Sequence, residues 1–190
     1  MRYLRITAIA EDGAAHFKHI LNYEDDFELT DGVSLIDEFP DEAEYRMNDD
    51  FPDDIQLQDF LHNLDNQIVV NARARAFLES RIDKAEYLSV GVVNHKSRQS
   101  EEEYSVVNLL DLEECIDREA TQFEEHAMNP DLMVKVRNLT LDESKVPKDR
   151  QMFRLNGIPS IVVISDLLAE EMREEGLQGF ETSELTKYKG

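Results

Sequence analysis

A single cysteine, Cys115, stands in this 190-residue chain, so neither an internal disulfide nor a multi-cysteine zinc site can form. The surrounding "LEECIDRE" carries nothing that activates a thiol, and Cys115 reads as a small buried hydrophobe. With only seven glycines, the chain has no Gly/Ser linker. No apolar run approaches the roughly 18 residues a membrane-spanning helix needs. The run in the opening "MRYLRITAIAEDG" is too short and too interrupted for a secretory signal, and a reducing cytoplasm is the expected location. There is no G-x-G-x-x-G, Walker loop, H-E-x-x-H or G-x-S-x-G elbow. No catalytic residue, metal ligand or cofactor is therefore assigned.

Positive charge is the other scarcity. Twenty Lys and Arg face 42 Asp and Glu, a net charge of −22. Such a chain repels phosphate backbones and anionic lipid heads, which excludes direct nucleic-acid and membrane-surface binding, and it attracts basic proteins from a distance. The competing reading is that the carboxylates serve solubility alone. Residues 1–54 hold 16 of the acids and four bases, so the composition changes near Pro52. From Glu24 to Asp54 there are fourteen acids and one base, Arg46. The stretch is nevertheless punctuated by Phe27, Leu29, Val33, Leu35, Ile36, Phe39, Tyr45, Met47 and Phe51. A solvated tail has no use for such groups, each contributing roughly 1.5–3 kcal/mol when fully buried. Residues 1–54 are expected to be an acidic segment packed on a core domain of residues 55–190, with its carboxylates turned outward.

Periodicity outlines that core. Tyr3–Ile9, "NQIVVN", "EYLSVGVV", "EYSVVNLL", "LMVKVRNLTLD", "MFRL" and "IPSIVVISD" read as strands, the third and fourth joined as an antiparallel pair by "NHKSRQSEE". Helical spacing of Leu57, Phe60, Leu61 and Leu64 after "PDD" predicts a helix over Ile55–Leu64. "ARARAFLESRID" predicts another, burying Ala74, Phe77, Leu78 and Ile82. A third follows Ser165 or Asp166, buries Leu167, Leu168, Met172 and Leu177, stops at Gly176, and precedes a final strand. The fold class is α+β, with an antiparallel or mixed sheet and a few packed helices.

Chemistry-bearing clusters are weak. His16 and His19 would share one face of a helix, but two histidines are an incomplete ligand set. Glu124 and His126 near Asp117 and Glu119 resemble an acid–base pair, at a frequency that the acid content alone accounts for. "DDFELTDG" lacks the ligand alternation of a calcium loop. Lys145, Lys148, Arg150 and Arg154 form a basic cluster that either takes an acidic ligand or neutralises the amino-terminal segment within the same chain, the latter being favoured.

From about Leu64 the order of pieces is informative: "NQIVVNARARAFLES", "EYLSVGVV", "YSVVNLLDLEECIDRE", "LTLDESKV", "MFRL", then "VVISDLLAEEMREEGLQGFE". This succession, over about residues 64–182, resembles a bacterial immunity-protein family whose members accompany polymorphic toxins and which was first catalogued as a domain of unknown function. "VVNLLDLEECIDRE" resembles the family's strand, short helix and Asp-Arg segment. The resemblance implies a cytosolic antidote that binds and blocks a cognate toxin without catalysis, and the acidic first 54 residues lie outside it. Glu24, Asp25, Asp26, Asp49 and Asp50 are the candidate partner-binding residues, facing a basic surface on the toxin. Two alternatives stay open: an enzyme of unrecognised type using His126, Asp117 and Arg118, and a structural or regulatory homodimer.

Overall fold

The computed structural model of the chain describes residues 1–190, the side chain of Asp26 apart. Among the described residues the strands are β1 (Tyr3–Ala8), β2 (Glu44–Arg46), β3 (Val69–Asn71), β4 (Ala85–Val93), β5 (Tyr104–Leu109), β6 (Leu112–Glu113), β7 (Gln122–Glu125), β8 (Met133–Arg137), β9 (Met152–Leu155), β10 (Ile158–Ser165) and β11 (Phe180–Glu184). Two α-helices accompany them, α1 (Ala72–Glu79) and α2 (Asp166–Glu174). The class is α+β.

A five-stranded sheet runs β11-β1-β10-β9-β6, antiparallel except that β6 lies parallel to β9. A four-stranded sheet runs β2-β4-β5-β3, antiparallel except for the β2–β4 pair. β7 and β8 form a separate ribbon. Strands β5 and β10 explain the layering, because β5 along its length and β10 from Ile161 to Ser165 are buried on both faces. In β10, Val162 and Ile164 enter a central core with β1 and both helices, while Ile161 and Val163 enter a second core with β8, β9, Cys115 and Leu139. In β5, Val107 and Leu109 join the central core. Tyr104 and Val106 turn to a third core with Phe17, Leu29, Leu35, Tyr45 and Met47. The acidic stretch thus contributes buried side chains at Leu29, Leu35, Tyr45 and Met47, whereas Phe27, Val33, Ile36 and Phe51 are exposed and Phe39 is half-buried.

Helix ends follow local chemistry. The Asn71 side chain accepts from the Ala74 N–H at 3.0 Å and starts α1, and Ser165 Oγ accepts from Leu168 N–H at 3.1 Å and starts α2. Gly176, at φ +73°, closes α2 with Gly176 N–H to Arg173 and Leu177 N–H to Met172. The buried stripe of α2 is Leu168, Ala169 and Met172; Leu167, expected inside, faces solvent.

Two expectations are corrected. Ile55–Leu64 forms no helix. Phe60 N–H donates to Gln178 at 3.0 Å, Leu61 N–H to Val69 at 2.9 Å, and Asn71 N–H to the Asp59 carbonyl at 3.0 Å, so the segment is extended. Phe60 enters the central core and Leu61 the third core, a division between opposite faces that adjacent helical residues cannot achieve. The short helix expected after "VVNLL" is the strand β6, drawn into the sheet by β9.

The passage of Gly179 beside Phe60 is the tightest backbone approach in this crossing. A Cβ on Gly179 would lie 2.2 Å from the Phe60 carbonyl oxygen, at φ +87°. Gly179→Ala should therefore destabilise the chain by about 3 kcal/mol or more. Gly13 has a comparable φ of +76° but only the flexible end of Gln56 nearby, at 3.4 Å. Gly13→Ala should lose only about 1 kcal/mol, the cost of a left-handed conformation. Equal denaturant midpoints for the two variants would contradict this.

Candidate functional site

The five candidate residues fall on two stretches of backbone. Glu24 and Asp25 are exposed in the turn leading into a short 3-10 helix, Asp26–Thr30. The Asp26 side chain lies outside the described residues. That turn is fastened on either side. Leu21 N–H donates to the Glu44 carbonyl at 2.9 Å, the Tyr23 ring packs 5.1 Å from Phe39, and Tyr23 OH donates to Glu28 at 3.0 Å. Burial, then the Glu28 carboxylate, pushes the Tyr23 hydroxyl well above its usual pKa.

Asp49 and Asp50 occupy a different turn, after Met47. Met47 N–H donates to Val93 at 2.9 Å and Asn48 N–H to His16 at 2.7 Å, while the buried Asn48 side chain accepts from Asp50 N–H at 3.1 Å. Asp50 is exposed and forms no ion pair among the described residues. Asp49 is already engaged, by His95 Nδ1 at 3.3 Å and Lys18 Nζ at 3.4 Å, and these two donors hold its carboxyl below the usual range. The described candidates thus belong to two different turns, two small anionic knuckles.

Three carboxylates elsewhere act as fasteners for the amino-terminal third. Asp65, whose side chain is 5% exposed, accepts from Ile20 N–H at 2.7 Å and pairs with His19. Glu86 accepts from Leu35 N–H at 2.9 Å, from Asn108 Nδ2 at 3.1 Å and from the Ser34 hydroxyl. Asp59 accepts from Gln178 N–H at 2.9 Å, Asn71 Nδ2 at 3.1 Å and Arg73 at 3.2 Å.

The basic cluster does not neutralise residues 1–54. Lys145 pairs with Asp142, and Arg150 with Glu113 at 2.7 Å, Asp111 at 3.4 Å and Asp83 at 3.5 Å. Arg154 is fully buried, donating to the Pro159 carbonyl at 2.8 Å and to Gln67 Oε1 at 2.7 Å. Burial without a carboxylate lowers its pKa to about 10, which leaves it charged at neutral pH.

His16 and His19 share no helix. His16 stacks on Phe51 at 4.0 Å, and His19 turns to Asp65. The enzyme suspects also keep separate company. Asp117 accepts from the Glu119 and Ala120 N–H groups, both at 3.0 Å, closing one turn. His126 Nδ1 accepts from Met128 and Asn129 in an exposed turn. Arg118 lies 4.9 Å over Phe123 and lines a cleft of about 380 Å³ that Asp117 and His126 do not reach. Cys115 is buried, and burial pushes its thiol up to about 12.

The sequence reading passed over a further acidic feature. An open cleft of about 570 Å³ beside α1 and β4 is lined by Asp41, Glu79, Glu101, Glu102 and Glu103. Arg75 lies there too, bonded to Glu79 at 2.6 Å. The signal was the run "SEEEY" inside a loop read only as a connector.

Compared with known families, residues 11–187 match the immunity protein family (Imm11). The chain belongs to that family. No curated protein matches it. The match starts at residue 11, so the acidic stretch, placed outside the resemblance on sequence grounds, lies within the family's extent. Among the described residues of this immunity protein, no helix is long and apolar enough to cross a membrane.

Glu86 allows a direct test of the fasteners. Burial raises its pKa, but the bonds from Ser34, Leu35 and Asn108 outweigh that and the net shift is downward. Its contribution is present above the unfolded-state value and is lost as pH falls through the folded one. Glu86→Gln should be less stable than the parent chain at pH 7. Denaturant midpoints of the two should converge below about pH 4, the ordinary glutamate range. A gap independent of pH would show that the charge of Glu86 does not matter.

Proposed function

We propose that this immunity protein binds and neutralises a cognate bacterial toxin through its acidic surface, with no catalysis of its own. Membership of an immunity protein family supports the role. The observation that carries the surface assignment is the exposure of Glu24, Asp25 and Asp50, free of ion pairs, on turns whose neighbouring backbone is hydrogen-bonded to the body of the protein. Charges held in place lose little conformational entropy on contact, which favours recognition. In this reading residues 1–54 form the partner-facing segment and residues 55–190 the α+β core. The partner presents a basic surface, and neither nucleic acid nor membrane binds directly.

A field from 22 excess negative charges draws a basic domain into contact faster than diffusion alone, and the gain falls with salt. Where the toxin is a nuclease, its substrate groove is basic and the carboxylates of the two knuckles take the positions of phosphates. The protein acts in the cytoplasm of the cell that makes the toxin.

Neutralising the set (Glu24→Gln with Asp25, Asp26, Asp49 and Asp50→Asn) should slow association with the toxin that co-purifies from the host. The expected loss is about tenfold or more at low salt, together with a flatter salt dependence. Stopped-flow or surface-based kinetics would measure both. Unchanged rates and salt slope would remove the assignment.

A further inference from the structure

Cations are the scarce charge in this protein, yet Lys96 and Arg98 form no ion pair among the described residues. Both belong to the turn joining β4 to β5, fixed by Lys96 and Arg98 N–H bonds to Asn94 Oδ1 at 2.9 and 3.1 Å. They stand with His95 around a groove of about 460 Å³, whose apolar lining includes Met47, Ile55 and Leu57. Ile55 is 60% exposed. An apolar groove with a cationic rim suits an apolar side chain flanked by carboxylates, because burial supplies affinity and the charges set register.

This chain carries such a group. Phe27 is 60% exposed on its 3-10 turn, and the exposed, unpaired Glu24 and Asp25 immediately precede that turn. We propose that the groove receives the Phe27 turn of a second copy, with the ring against Ile55 and Leu57 and the carboxylates of Glu24 and Asp25 against Lys96 and Arg98. The net charge of −22 on each copy opposes approach at long range. Salt screens that repulsion beyond about 8 Å under physiological conditions, while the local opposite charges act at contact. Turn and groove are different patches. A twofold axis makes the exchange reciprocal and gives a closed dimer; any other operator gives a head-to-tail chain. The inference shares Glu24 and Asp25 with the toxin assignment, but its test reads self-association of the chain alone.

Sedimentation velocity of the full chain, from low to high micromolar concentration at physiological salt, tests it. The parent should show a rise in sedimentation coefficient with concentration. Reversing the rim (Lys96→Glu with Arg98→Glu) should weaken association at least roughly tenfold, about 1.4 kcal/mol. Reversing the turn (Glu24→Lys with Asp25→Lys) should do the same. Mixing the two variants should restore association, since the reversed turn then meets the reversed rim. All four positions are on the surface, so unchanged melting temperatures will certify folding. A parent that stays monomeric throughout, association indifferent to either reversal, or a mixture that fails to recover would each overturn the proposal.

Discussion

A shortage of positive charge governs how this molecule is held together. With 20 bases for 42 acids, ion pairing cannot be the general means of joining segments. The fold instead makes carboxylates the acceptors of main-chain N–H groups that would otherwise lack partners. Asp65 holds Ile20, Glu86 holds Leu35, and Asp59 holds Gln178. Bonds of this charge-assisted kind are roughly twice as strong as neutral ones. Each spans a long stretch of sequence, so a carboxylate ties a remote segment into place through its main chain. Apolar contacts through Leu29, Leu35, Tyr45 and Met47 accompany these bonds.

That arrangement accounts for the outer surface. Other carboxylates stay exposed along the chain, among them Glu24, Asp25 and Asp50 on their turns and Glu101 and Glu103 beside the open cleft. The surface of this immunity protein therefore offers several negative features. Its few cations are mostly committed. Arg150 serves three carboxylates and Arg154 is sealed between Gln67 and Pro159, so the unpaired Lys96 and Arg98 stand out against an anionic background.

The sequence was most legible where one physical signal dominated. β10 followed from its run of Ile and Val, β5 from the β-branched pair Val106–Val107 between Tyr104 and Leu109, α2 from Ser165 and Gly176 at its ends, and the β4–β5 hairpin from two apolar runs around a polar loop. Ile55–Leu64 misled because its apolar spacing fits two periods. Two buried polar side chains decide the matter: Gln58 accepts from Glu11 N–H and Asp59 from Gln178 N–H, distant backbone that no local pattern reveals. β6 and β7 are short strands made by their partners. Charge told where the acids were concentrated but not which would be used internally. Asp49 and Asp50 look alike in sequence, and only the approach of Lys18 and His95 separates them. Arg154 read as a surface cation because burying a guanidinium requires acceptors that only the assembled fold provides.

The lone sulfhydryl has a bearing on how the molecule's breathing motions become visible. Cys115 lies completely inside the layer formed by β8, β9 and β10, and its thiol is held almost wholly protonated at physiological pH. In the closed state it is shielded from an electrophile and starved of the thiolate that would attack one. Alkylation can then proceed only when that layer parts, and at a pace set by how often it does. One atom thus serves as an internal clock for the far side of the five-stranded sheet, with no second thiol in the chain to blur the reading.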